Sequence, residues 1–136
     1  MPQKQTHAAH LPVRAANLPA PVGPYSPGMG FERLIFVSGQ GATDPATGKL
    51  AGHDVETQTV QCLKNIEAAL TRAGASFAQV VRTRLYVVNI ADWEQIGRAH
   101  GAVFGTIRPT TAMVEVSRLI SPEMLVEIEA DAWLGE

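Results

Sequence analysis

Near its C-terminal end the chain sets three carboxylates two residues apart, Glu127, Glu129 and Asp131. Earlier it sets Arg82, Arg84 and Tyr86 at the same spacing. Side chains of a strand point alternately to its two faces, so each series belongs to one face of a sheet. Guanidinium, phenol and carboxylate groups sharing a face either pair with one another or meet a ligand or a second chain. Four histidines, His7, His10, His53 and His100, have no metal-ligand spacing, so neither a metal site nor a cofactor is expected. Cys62 falls on an apolar helical stripe and reads as a small inert core residue rather than a nucleophile. Ser38-Gly39-Gln40-Gly41 permits close backbone approach to a bound group, yet no lysine follows at the spacing of a phosphate-binding loop.

The elements that must position these groups follow from periodicity. A helix is predicted over residues 54–72, where Val55, Thr59, Cys62, Ile66, Ala69 and Leu70 recur on one face. Asp54 is its N-cap, Glu56 and Arg72 suit the two ends of the dipole, and Gly74 closes it in the left-handed conformation. A second helix is predicted over 92–104, with Asp92 and Gln95 as a capping box, Trp93 as a packing residue at its start, and Ile96, Ala99, Val103 and Phe104 as the apolar stripe. Short β-type runs cover 34–37, 80–88, 111–117 and 125–133. Residues 18–30, punctuated by Pro19, Pro21, Gly23-Pro24 and Pro27-Gly28, form a loop of fixed shape, and 44–48 form a surface turn. This succession of strands and helices predicts an α+β fold with two helices on one face of a mixed sheet.

Parity then divides each strand. Thr83, Leu85 and Val87 oppose Arg82, Arg84, Tyr86 and Val88; Val126, Ile128, Ala130 and Ala132 oppose Leu125, Glu127, Glu129, Asp131 and Trp133. In the 111–117 run, Ala112, Val114 and Val116 oppose Thr111, Met113, Glu115 and Ser117. The aliphatic sets are expected to meet the helices. The other face then combines Arg82, Arg84, Tyr86, Met113, Glu115, Glu127 and Glu129. Such a face either turns to water or serves self-association, with Tyr86, Met113 and Trp133 packing and the charges pairing across chains.

The composition bounds the rest. A length of 136 residues suits a single domain spanning 1–136, which includes a polar leader at 1–17. With 46% apolar and 18% charged residues and a net charge of −2, the chain is neither disordered nor a nucleic-acid binder. One cysteine precludes an internal disulfide. The sequence has no signal-peptide pattern and no membrane-length apolar run, so a cytoplasmic protein with no membrane partner is expected.

Several motifs in register resemble one family. Val22-Gly23-Pro24-Tyr25-Ser26, Phe36-Val37-Ser38-Gly39-Gln40, Asp44-Pro45-Ala46-Thr47-Gly48, Gln58 with Asn65-Ile66, Val114-Glu115-Val116 and Val126-Glu127-Ile128-Glu129-Ala130 follow the Rid/YjgF pattern in order, over roughly residues 21–133. The resemblance implies a chorismate-mutase-like α+β fold and a homotrimer whose three sheets line an inner barrel, with ligand clefts between subunits. It implies hydrolysis of 2-aminoacrylate and related imines in typical members. Tyr25, Ser38 and Gly39 match ligand-contacting positions, and Glu127 matches the catalytic carboxylate that handles water or its proton.

The chain departs from the pattern where the family places an arginine for the substrate carboxylate: Thr111 stands there. Met113 stands at a frequent cysteine and Gly97 at a usual asparagine. A hydroxyl cannot reproduce bidentate guanidinium pairing, so ordinary 2-aminoacrylate deamination is not expected. Arg84, on the face of Glu127, is the candidate replacement, with an ion pair to Glu115, Glu127 or Glu129 as the competing role. The expected function is a Rid-type homotrimer binding a small carbonyl, imine or carboxylate-bearing metabolite. Its activity is either imine or enamine hydrolysis or, alternatively, non-catalytic binding or regulation. Ribonuclease activity finds no support in a net-acidic chain without a basic stripe.

Overall fold

The computed structural model describes residues 7–13 and 16–135. In chain order its elements are β1 (His7–Val13), β2 (Gly28–Glu32), β3 (Leu34–Gln40), β4 (Thr43–Asp44), β5 (Lys49–Leu50), α1 (Val55–Arg72), β6 (Val80–Val87), α2 (Trp93–Phe104), β7 (Thr110–Glu115) and β8 (Val126–Trp133). A six-stranded sheet runs β1-β2-β3-β8-β6-β7, and β4 pairs with β5 in a separate ribbon. Only β6 and β7 pair in parallel, because α2 carries the chain back between them; the sheet is therefore mixed and the fold α+β, as the periodicity predicts.

Helix α1 forms where expected and for the expected reasons. The Asp54 carboxylate accepts from the Thr57 N–H at 2.8 Å, and Gly74 leaves the helix with φ of 86°. Its apolar face, with Cys62, Leu63, Ile66, Ala69 and Leu70, packs on Ile35, Val37, Ile128, Ala130 and Ala132 of the sheet. Each fully buried aliphatic side chain of Val, Leu or Ile size contributes roughly 1.5–3 kcal/mol.

Four local expectations need correction. The capping box at Asp92 and Gln95 does not form: a 3-10 turn at Ile90–Asp92 leads directly into α2, and Asp92, at ψ of 6°, makes no side-chain cap. Asn89 instead accepts from the Ala91 N–H at 3.1 Å. Trp93, expected to pack at the start of α2, is exposed. Residues 7–13 of the proposed polar leader form β1 against β2; residues 1–6 and 14–15 lie outside the described part.

The fourth correction concerns β7. On β6 and β8 the aliphatic sets are buried under the helices, as parity predicts. The in-register parallel pairing of β7 with β6 sets Thr111 beside Thr83 and Met113 beside Leu85, on the helix side. Ala112 and Val114 pair with Arg84 and Tyr86 and share the open face. The faces of β7 are thus the reverse of the expectation, and Met113 packs against the core.

Candidate functional site

Two adjoining hollows at one end of the open face share Tyr25, Gly39, Arg118, Leu119 and Glu127. One extends along Pro19, Pro21 and Val22 to Met124, and the other reaches Ser38, Tyr86 and Glu129.

Local chemistry fixes their walls. The proline-rich loop turns at Gly23, whose carbonyl accepts from the Tyr25 N–H at 2.9 Å. Ser38 ties that loop to β3: its hydroxyl donates to the Ser26 carbonyl at 2.6 Å and its N–H donates to the Pro27 carbonyl at 2.8 Å. Between Val37 and Gln40 the β3–β8 register shifts by one residue, a bulge containing Ser38 and Gly39. A Cβ on Gly39 would lie 2.9 Å from Cδ of Glu127, so glycine is what lets the carboxylate lie against the bulge.

Two fully buried amides of α1 hold the rim from behind. Asn65 donates to the carbonyls of Gly41 and Thr43 at 3.1 and 2.9 Å. Gln58 donates to the carbonyls of Gly52 and Glu123 at 3.0 and 2.9 Å and accepts from the Leu125 N–H at 2.8 Å.

Glu127 lies where the two hollows meet. It is half-buried, and desolvation, followed by the neighbouring Glu129 charge, holds its carboxyl above the ordinary carboxylate range. Among the described residues it has neither a hydrogen bond nor an ion pair. A carboxyl so raised keeps its proton to higher pH than an ordinary glutamate, which suits general acid–base work.

Glu129, two residues on, is fully engaged. It takes Arg84 at 3.2 Å and the Tyr86 hydroxyl at 2.7 Å, and Arg84 also reaches Asp131 at 3.4 Å. The bond to Glu129 raises the Tyr86 phenol.

Of the residues singled out from sequence, Tyr25, Ser38, Gly39 and Glu127 come together. Arg84 is drawn into the Glu129 and Asp131 pairs instead. Thr111 and Met113 are not brought to this cleft by their own chain: the Thr111 hydroxyl lies 2.9 Å from that of Thr83, which lies 2.9 Å from Nε2 of His100. His100 stands over Phe104, and burial lowers its pKa, in keeping with a structural histidine. Burial likewise pushes the Cys62 thiol far up.

Sequence reasoning missed Arg118. It lies just beyond β7, where strand parity no longer applies, and its available signal was its place at the end of the strand running toward Glu127. Among the described residues no cluster of His, Cys, Asp and Glu suits a metal ion, and no helix is long and apolar enough to cross a membrane.

The family model described as Endoribonuclease L-PSP matches residues 15–134. A RutC family protein of Pyrococcus horikoshii is 38% identical over 86% of this chain and 92% of its own length. The 2-iminobutanoate/2-iminopropanoate deaminase of Salmonella typhimurium is 33% identical over 88% of this chain and 94% of its own. Among solved structures, E. coli TdcF with bound serine superposes with a TM-score of 0.85 at 28% identity, covering 90% of this chain and 98% of that one.

Proposed function

Because the chain belongs to the Rid/YjgF family, also called endoribonuclease L-PSP, we propose that it binds a small carbonyl, imine or carboxylate-bearing metabolite at the Glu127 cleft and hydrolyses an imine or enamine there. The observation that carries this is the unpaired, half-buried Glu127 carboxyl set against Gly39, with Tyr25 and Ser38 beside it. Water adds to the carbon of the C=N bond while Glu127 takes its proton. The nitrogen is protonated as the carbinolamine forms; its C–N bond then breaks, releasing ammonia and leaving a carbonyl product. An enamine enters the same sequence after protonation at carbon gives the imine.

The working unit is a homotrimer. Support comes from the open face, where Phe36, Val114 and Trp133 are 43%, 46% and 45% exposed beside charged neighbours, a mixture suited to burial between copies. The chain departs from ordinary 2-aminoacrylate deaminases at Thr111. The assay follows the decay of freshly generated 2-aminoacrylate with and without the protein, and an acceleration that Glu127→Gln abolishes supports the hydrolysis. Decay no faster than in buffer rules out that activity.

A non-catalytic binding or regulatory trimer is the second reading, and it is favoured by the engagement of Thr111 with Thr83. Thr111→Arg separates the two. Gain of deaminase activity in that variant marks an intact site that lacks only its carboxylate anchor.

A further inference from the structure

Among the described residues, Arg118 is the one lysine or arginine lining either hollow. The other cations near the sheet are occupied or elsewhere, Arg82 among them, which lines a separate hollow with Thr110 and Thr111. Arg84 pairs with Glu129 and Asp131, Arg98 pairs with Glu56 across the helices, and Arg33 donates to the Gly135 carbonyl. Arg108, at φ of 56°, turns the chain into β7 and borders neither hollow. Arg118 is exposed and, among the described residues, has no ion pair.

Its relation to Glu127 is informative. The two line the same hollows, yet they do not form a salt bridge, and the Glu127 carboxyl stays raised with no cation drawing it down. A cation and an acid that share a cleft without neutralising each other leave room for a ligand between them. An arginine so placed offers a planar fork for a carboxylate, while Glu127 remains free to move protons at the adjacent carbon.

Resting on the proposed ligand cleft, we infer that Arg118 is its carboxylate anchor, supplying from the β7–β8 loop the guanidinium absent at position 111. The ligand then lies with its carboxylate on Arg118 and the reacting carbon toward Glu127. Neutral esters and amides of the same skeleton lack the group that Arg118 holds.

The test titrates the intact protein calorimetrically with pyruvate and with methyl pyruvate, which differ in that charge. The parent favours pyruvate by about tenfold or more, the scale of one charge-assisted bidentate contact. Arg118→Gln erases the preference by weakening pyruvate while leaving methyl pyruvate within about twofold, and Arg118→Lys restores part of it, as a charge without the fork. A merely structural role moves both ligands together. Persistence of the preference in Arg118→Gln, or equal binding of both ligands by the parent, overturns the assignment and leaves the cleft standing. Failure of the parent to bind either ligand overturns the cleft reading and this inference with it.

Discussion

Two regions of one sheet face treat their carboxylates in opposite ways. Around Glu129 every charge is answered: Arg84 bridges Glu129 and Asp131, and the Tyr86 hydroxyl closes the set. Around Glu127, one strand pitch away, the carboxyl is left unanswered, and the backbone bulge and a glycine make space for it. The same alternation places both residues, so the strand does not distinguish them. What differs is the neighbour: β6 presents Arg84 opposite Glu129 but Tyr86 opposite Glu127. Charges that are paired build surface, whereas a desolvated charge without a partner destabilises the fold slightly.

The largest expected effect comes from closing the space at the unpaired end. Gly39→Ala puts a methyl 2.9 Å from Cδ of Glu127, forcing the carboxyl to swing. Pyruvate affinity falls by about tenfold or more in a calorimetric titration, while the urea midpoint barely moves, because the crowded atom ends a flexible side chain. A large drop in the midpoint with affinity intact would mean the glycine serves folding instead.

Breaking the paired end has a smaller consequence. Arg84→Met costs about 1 kcal/mol or less in chemical denaturation, since the pairs it loses are partly open to solvent. A loss of several kcal/mol would place these groups in a dry lattice and dissolve the contrast.

The smallest effect is a pH dependence. The Glu127 carboxyl is raised in the folded chain above the ordinary value of 4.5, so the folded state binds the extra proton. The stability linked to it is present below that value and is lost as pH rises through the folded pKa. Glu127→Gln does not titrate. Its stability relative to the parent therefore grows between acid and neutral pH in paired urea melts, and a pH-independent difference would show Glu127 to be no more desolvated than a surface glutamate.

How much was legible depended on whether local pattern or long-range pairing decided the outcome. Strand β8 alternates aliphatic and acidic residues between two unlike surroundings, so its faces are readable from its own sequence. Helix α1 carries its cap, its stripe and its closing glycine within itself. Edge strand β7 has no such contrast: Ala112 and Val114 look like core and lie open, and only the parallel pairing with β6 reveals which side Thr111 takes.

Strand β1, His-Ala-Ala-His-Leu-Pro-Val, gave no alternation to find. Tyr25, Ser38, Gly39 and Glu127 were legible through motif resemblance. Arg118 was not, because a loop residue has no period, and the expected face of β7 directed attention to Arg84.

The hidden amides of Gln58 and Asn65 carry one last consequence. By gripping the strands and turns on either side of the cleft, they make the mouth of the site an extension of the helix interior. Guests therefore enter a frame already set rather than one they must organise, and little ordering entropy is lost on arrival. Selectivity for shape is in that sense written partly in two side chains that no guest ever touches.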